Sequence, residues 1–287
     1  MISYHFLDYV YNTKKIWDFS MIPYFFERQV TKSMVEHSLW KNDNFLNRNI
    51  MFLFNKEITE YDMKEAGFSL IQEFKLLPES KIAYLKKFGK DERKIKIGDM
   101  QRENEQLRNG MKDAFAQARK DFMEFNKLEP NDIITVKKDA IITSKICKHT
   151  EIGKYINFRP KHSYTSYIQL GKRLEVYYSP YDFAVKGIGD DKLVYHEDYM
   201  IHFLKLFFKK MESEDRTTVI GFTRRFIDKY KRRELEVGYY RQFDTKSEFH
   251  VLGSDDKYME FWEEDKDELD ISYNFLNVLI KLIKIPL

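Results

Sequence analysis

Two aspartates, Asp62 and Asp139, have the residue type and the setting to do chemistry together. The apolar β segment IMFLFNKEITEY (50–61) precedes Asp62, and Asp139 lies at the tip of IITVKKDAIIT (133–143). Two carboxylates on neighbouring strands can hold a pair of Mg²⁺ ions for in-line phosphoryl transfer. Mg²⁺ also favours one or two carboxylates combined with substrate phosphates. The sequence therefore predicts a catalytic Mg²⁺ (or Mn²⁺) site formed by these two side chains.

A basic stripe on the segment between the two aspartates suits phosphate binding. Apolar residues between 99 and 126 recur at the helical period over five turns. At 100° per residue, Arg108, Lys112 and Arg119 fall within roughly 40° of one another, to the side of the apolar face. Lysine and arginine neutralise phosphate charge. These three residues are therefore predicted to bind the triphosphate of a nucleotide.

Hydrophobic periodicity predicts the elements that must position these side chains. Helices are expected at 62–74 and 99–126, which puts Asp62 where a strand becomes a helix. Residues 133–143 indicate a tight hairpin, and a second hairpin is indicated where YTSYIQL and RLEVYY flank Gly171-Lys172. Further helices are predicted at 31–37, at about 194–212 and 216–235, and in an amphipathic segment at 269–285.

These elements together predict an α+β fold. We expect an antiparallel, palm-like sheet with helices packed on one face, followed by a mainly helical C-terminal part. Residues 1–150 would form the core with an N-terminal extension. Residues 151–287 would form a continuous region of β-hairpin and helices that contacts nucleic acid.

A second basic cluster, RRFIDKYKRRE (224–234), combines six basic residues in ten positions and precedes Tyr239 and Tyr240. Basic residues interleaved with aromatic ones can hold a phosphate backbone and stack on bases. Arg224, Arg225, Arg232 and Arg233 are therefore predicted to bind nucleic acid.

The order of these features resembles motifs A, B and C in the palm of family A DNA polymerases and related single-subunit RNA polymerases. The matching stretches are EITEYDMKEAGFSLI, the helical MQRENEQLRNGMKDAFAQARKDF and the hairpin IITVKKDAIIT, within about residues 50–145. This sequence departs from the family at Gly67, where motif A usually carries Glu, and at Lys138-Asp139-Ala140, where motif C is usually His-Asp-Glu. The chain also looks like uncharacterised proteins of bacteriophages with AT-rich genomes.

The resemblance implies a template-dependent nucleic acid polymerase or nucleotidyltransferase of bacteriophage type, active in DNA replication. Asp62 and Asp139 would bind the metals, and Arg108 and Lys112, with Arg119, would contact the incoming nucleoside triphosphate. The partners would be a nucleic acid template and primer. DNA and RNA remain equally open as product.

Several alternatives stay open at this point. The plainer interpretation makes Asp62 a helix cap and Asp139 a turn former, since aspartate favours both positions. A non-catalytic nucleic-acid-binding or interaction protein with a palm-like core is one rival. A metal-dependent nuclease is another, because Asp62 with Glu73-Phe74-Lys75 imitates the Asp…Glu-x-Lys pattern. Cys147, His149 and His162 provide too few ligands for a structural zinc site.

Composition narrows the class of protein further. The 287 residues include 49 Lys and Arg against 46 Asp and Glu, so the net charge of +3 does not by itself call for nucleic acid. The single cysteine excludes an internal disulfide and suggests a reducing compartment. No run of apolar residues is long enough for a membrane helix, and no signal peptide is evident. We therefore expect a cytoplasmic protein, in the host cytoplasm if it is phage-encoded.

Overall fold

The computed structural model describes residues 44–170, 174–232, 234–240, 243–244 and 250–251. Four of the features predicted from sequence lie outside the described residues: the helix at 31–37, the Gly171-Lys172 turn, Arg233 and the amphipathic segment 269–285.

The described strands form two antiparallel sheets and one short strand pair. Their bounds are β1 Asn44–Leu46, β2 Phe52–Leu53, β3 Ile58–Met63, β4 Ile133–Lys137, β5 Ala140–Thr143, β6 Phe158–Tyr164, β7 Ser166–Gln169, β8 Glu175–Tyr178, β9 Phe183–Lys186, β10 Phe243–Asp244 and β11 His250–Val251. The central sheet has the order β1-β4-β5-β3-β6, and the second sheet has the order β2-β7-β8-β9.

The described helices lie before β4 and after β9. They are α1 Ala66–Glu73, α2 Glu79–Leu85, α3 Lys90–Glu103, α4 Glu105–Phe125, α5 Asp190–Leu193, α6 His202–Ser213 and α7 Arg216–Lys231. The helix predicted at 99–126 is divided at Asn104, which has an extended backbone and caps α4 by accepting a hydrogen bond from the Leu107 amide at 3.0 Å. Antiparallel sheets combined with helices confirm the predicted α+β class.

Helices cover one face of the central sheet. The Tyr61 ring of β3 lies 5.4 Å from Phe122 of α4, which in turn lies 4.6 Å from Phe158 of β6. All three rings are buried in one core that also includes Met63 and Ile141. Apolar residues at every second strand position therefore point toward the helices.

The opposite face of the central sheet packs on the second sheet. Ile58, Ile142 and Tyr164 of the central sheet form a buried cluster with Tyr167 and Tyr177 of the second sheet. The two sheets are also linked through the chain itself, because β6 runs almost directly into β7.

A second layer of helices covers the outer face of the second sheet. Tyr178 of β8 stacks on Phe208 of α6 at 5.2 Å, and Phe203 of α6 lies 4.2 Å from Phe226 of α7. The described chain thus forms four layers: helices, central sheet, second sheet and helices. Because β6 follows residue 150 yet pairs with β3, the central sheet takes strands from both predicted parts of the chain.

Candidate active site

Asp62 lies inside a strand and not at the start of a helix. β3 pairs with β5 through Asp62 and with β6 through Met63, and α1 begins only at Ala66. The residue that precedes α1 is Glu65, which has a left-handed backbone with φ of 47°. The interpretation of Asp62 as a helix cap is therefore wrong, because strand pairing on both sides keeps its backbone extended.

The fold brings the two predicted carboxylate residues together. β5 is the immediate neighbour of β3, with Asp62 opposite Ala140, and Asp139 occupies the turn that leads into β5. The Met63 amide donates to the Asp139 carbonyl at 2.9 Å. The predicted hairpin of β4 and β5 is confirmed, with Lys138 in the left-handed region of its tight turn at φ of 45°.

The charges around Asp62 are mixed. Burial raises the pKa of the Asp62 carboxyl group; Lys161 and Arg159 lower it, whereas the nearby Asp139 and Glu60 carboxylates raise it further. Asp62 and Asp139 therefore lie close enough for their charges to repel. A cation placed between them would relieve that repulsion.

The side chain of Asp62 faces the second sheet. Tyr61 and Met63, its neighbours in β3, belong to the core beneath the helices. Because strand side chains alternate, Glu60 and Asp62 point the other way. Glu60 confirms this direction, since it forms a 2.5 Å ion pair with Lys186 of β9 in the second sheet.

The basic residues of α4 lie on the helical side of the central sheet, away from the face to which the Asp62 side chain points. α4 packs on the helical face, whereas Asp62 points toward the second sheet. Arg108 and Lys112 are exposed, and Arg108 forms a 3.4 Å ion pair with Glu105 within its own helix. Both residues therefore belong to the helical side of the central sheet, whereas the Asp62 side chain points to the opposite side, contrary to the arrangement predicted from sequence.

Arg119 is not part of an exposed basic stripe. It is 1% exposed, and its Nη1 donates to the Lys138 carbonyl at 2.7 Å. This burial differs from the exposed position predicted from sequence and leaves the side chain little access to a triphosphate in solution. Arg119 instead stabilises the β4–β5 turn from the helical side of the central sheet. Its hydrogen bond to Lys138 thereby positions the backbone next to Asp139.

The basic residues nearest Asp62 include two from β6, whereas the sequence predicted that α4 would provide them. Arg159 lies opposite Asp62 in the strand register, and Lys161 is the extra residue of a β-bulge beside Tyr61. Both side chains are exposed, and the positive charge of each lowers the pKa of the Asp62 carboxyl group. The sequence signal is Arg-Pro-Lys within a β segment, a pattern that is also common on edge strands, where charged residues and proline prevent further pairing.

An ion pair with a buried carboxylate fixes the base of the Asp139 turn. Lys137 Nζ contacts Glu175 Oε1 at 2.6 Å, and the Tyr177 hydroxyl donates to Glu175 Oε2 at 2.6 Å. Glu175 is 0% exposed. Burial, followed by the Glu175 charge, raises the pKa of Tyr177 well above its usual range, so the hydroxyl stays protonated and donates. The second sheet thus holds the strand that leads into Asp139.

The donor set of this site suits Mg²⁺ completed by a substrate. Within the described part of the chain, no three or more His, Cys, Asp or Glu side chains are grouped to hold a metal ion. Asp62 and Asp139 alone provide two carboxylates, and Mg²⁺ commonly uses one or two together with water and substrate phosphates. Among the described residues, these two carboxylates are therefore ligands that suit Mg²⁺ completed by water and a substrate phosphate.

The nuclease pattern does not form. Glu73 is the last residue of α1, and its Oε2 accepts a hydrogen bond from the Tyr155 amide at 2.7 Å. Lys75 follows in a turn with φ of 49°. The Asp…Glu-x-Lys site needs Glu and Lys on a strand beside the aspartate, so the helix excludes this arrangement.

The second basic cluster forms one face of α7. Arg224, Arg225 and Arg232 are exposed, while Ile227 and Tyr230 are buried against the second sheet's outer core. Arg232 forms a 3.0 Å ion pair with Glu234. α7 belongs to the outer helical layer, so this basic face is separate from the surroundings of Asp62.

Comparison with known proteins identifies a family. The family model of the Bacteriophage PBS1 gene 130 protein matches residues 34–287, and the chain belongs to that family. The expected bacteriophage origin is thereby confirmed. No curated protein matches the chain. None of the described helices is long and apolar enough to cross a membrane.

Proposed function

We propose that this phage protein is a Mg²⁺-dependent nucleotidyltransferase that joins a nucleotide to a hydroxyl group of nucleic acid. The observation that carries the proposal is the meeting of Asp62 and Asp139 at neighbouring strands, beside the basic residues of β6. Template-directed polymerisation is the narrower form of the same proposal.

The carboxylates and the cations have complementary tasks in this chemistry. Asp62 and Asp139 would hold Mg²⁺ (or Mn²⁺), which when bound activates a hydroxyl nucleophile and neutralises developing charge on phosphate. Arg159 and Lys161, and not the basic residues of α4, would bind the phosphates of the nucleotide. Both residues can form the strong charge-assisted hydrogen bonds that phosphate accepts.

An exposed aromatic residue supports a nucleotide or nucleic acid as substrate. Tyr181 is 99% exposed at the tip of the β8–β9 turn. That turn lies beside β6, since Asp182 contacts His162. A tyrosine presented to solvent next to basic residues provides a surface on which a base can stack.

The test is incorporation of radiolabelled nucleotide into a primer–template, with NTPs and dNTPs supplied separately, in Mg²⁺ and in Mn²⁺. We expect incorporation by the wild type, and a loss of about 10³-fold or more in Asp62→Asn and in Asp139→Asn, because each removes a ligand charge. Asp113→Asn is the matched control, since this exposed carboxylate lies on α4. Near-wild-type activity in a folded D62N or D139N variant would disprove the assignment.

A second candidate function is nucleic acid binding without turnover. The exposed basic face of α7 favours it, because this face needs no metal and lies apart from Asp62. Under this candidate the wild type retains primer–template in a filter-binding assay, but incorporates no nucleotide with either metal and either set of nucleotides.

A further inference from the structure

An imidazole and a carboxylate meet where the two sheets approach each other. His162 Nδ1 lies 2.7 Å from Asp182 Oδ2. His162 belongs to β6 of the central sheet, and Asp182 ends the turn between β8 and β9. The turn itself is fixed, because the Asp182 amide donates to Ser179 Oγ at 3.0 Å and the Ser179 amide donates to the Asp182 carbonyl at 2.7 Å.

This contact sets the tautomer of the imidazole. An ionised carboxylate only accepts hydrogen bonds, so Nδ1 must carry the proton. The lone pair of neutral His162 is then on Nε2, which has no hydrogen-bond partner among the residues that the structure describes. The ring is steadied by stacking on Tyr164, at 6.0 Å between centroids and 17° between planes. A base oriented by a third group is the arrangement that general-base catalysis uses.

The strand register places His162 next to the carboxylate site. His162 lies opposite Glu60, and Asp62 is the next residue of β3 on the same face. Two residues of a strand span on the order of 7 Å. The His162 side chain is 40% exposed, so a ligand can reach it. A substrate held at Asp62 and Asp139 can therefore present a hydroxyl to the imidazole.

We propose that His162 is the general base of the nucleotidyl transfer and that Asp182 is its positioning residue. This inference rests on the proposed function. Nε2 removes the proton of the attacking hydroxyl as its oxygen bonds to the α-phosphorus of the nucleoside triphosphate. The bond from that phosphorus to the bridging oxygen breaks, its electron pair leaves with pyrophosphate, and the imidazolium returns its proton to water.

A purely structural role predicts different behaviour. The contact would then only tie the edge of the central sheet to the second sheet, and its removal would change the free energy of unfolding but not the chemistry. Two readouts separate these roles: rescue of activity by added imidazole, and the tautomer of His162.

The test uses the full chain with His162→Ala, His162→Gln and Asp182→Asn, with His149→Ala as a matched control at an exposed histidine. We expect kcat to fall by about 10²–10⁴-fold in the His162 variants with little change in KM, because proton transfer by a positioned base contributes that much. Free imidazole at millimolar concentration should restore activity to H162A and leave H149A unchanged. H162Q, which retains polar side-chain volume, serves if H162A fails to fold.

The tautomer is measured in ¹⁵N-histidine-labelled protein by two-bond ¹⁵N–¹H correlation. We expect Nδ1–H in the wild type and a shift toward Nε2–H in Asp182→Asn, because the amide presents a donor. An Nε2–H wild type, or folded His162 variants with wild-type kcat, would overturn the inference while leaving the proposed function standing. A wild type that transfers no nucleotide would remove both.

Discussion

Asp62 occupies surroundings that oppose its own charge. Burial and the neighbouring carboxylates raise its pKa, so the protonated form favours the folded state. That contribution is present below the ordinary aspartate pKa of 3.8 and is lost as pH rises through the higher folded value. At neutral pH the Asp62 charge therefore destabilises the folded protein even with Lys161 and Arg159 nearby, and a bound metal cation would offset this.

The first prediction at the residue scale concerns the destabilising charge of Asp62. Asp62→Asn should raise the melting temperature of the metal-free protein at pH 7, because the substitution removes a charge that folding disfavours. Mg²⁺ should raise the melting temperature of the wild type and have little effect on D62N. Thermal scans with EDTA and with Mg²⁺ measure both effects. A D62N variant that melts below the wild type in EDTA would contradict this account.

The second prediction at this scale distinguishes β6 from α4. Arg159→Ala and Lys161→Ala should each weaken nucleoside triphosphate binding by about 10-fold or more, since a hydrogen bond to a charged group contributes about 1.5–3 kcal/mol. Arg108→Ala and Lys112→Ala are the controls and should leave binding unchanged, because they belong to the helical side of the central sheet and Asp62 points to the other side. Isothermal titration with one nucleotide measures all four. Weaker nucleotide binding by the α4 variants than by the β6 variants would instead assign the phosphate site to α4.

At the scale of elements, the β4–β5 hairpin is held from both sides. Arg119 of α4 contacts the turn carbonyl of Lys138 from the helical side, and Glu175 of β8 holds Lys137 from the other sheet. Lys138 and Lys137 directly precede Asp139 in the chain. The position of this carboxylate therefore depends on elements that are distant along the chain.

The element-scale prediction concerns the Lys137–Glu175 pair. Lys137→Met should lower the free energy of unfolding by about 3 kcal/mol, because it leaves a buried carboxylate without its cation. Glu175→Leu in the same chain should recover much of that decrease, since the pair is then replaced by apolar groups. Urea titrations of both single variants and the double variant give the coupling energy. Simple additivity of the two single effects would show that the pair does not act as a unit.

At the scale of the whole molecule, four layers keep two basic surfaces apart. Arg159 and Lys161 belong to the central sheet, whereas the basic face of α7 belongs to the outer helical layer. The molecule therefore presents one basic surface beside the carboxylates and another away from them. Nucleotide binding and nucleic acid binding should respond to different substitutions.

The whole-molecule prediction tests this separation. Replacing Arg224, Arg225 and Arg232 by Ala should weaken nucleic acid binding and lower the log–log salt slope by roughly 0.7 to 0.9 for each phosphate that no longer pairs with an arginine. Nucleotide binding should change little. The triple variant of Lys86, Lys87 and Lys90, which are exposed around α2 and α3, removes the same charge elsewhere. Filter binding at two salt concentrations decides, and equal slopes for both triple variants would remove α7 from the interface.

The sequence by itself predicted the helical character of α1, α4, α6 and α7 and placed Asp139 at the tip of the β4–β5 hairpin, but it did not predict α2 or most of α3. These features depend on local periodicity and turn chemistry, which neighbouring residues specify. The division of the long helix at Asn104 and the extension of β3 through Asp62 were missed. Capping and strand pairing decided both, and pairing partners lie far away along the chain.

Only the tertiary structure decided which side chains share a face. Helical periodicity placed Arg119 beside Arg108 and Lys112, but packing buried it beneath the hairpin. Strand alternation then turned Asp62 away from α4, and the register of β6 set Arg159 opposite it. Periodicity gives the direction in which a side chain points from its own helix or strand. The residues that it then contacts depend on the order and register of strands that are separated by about 100 residues in sequence.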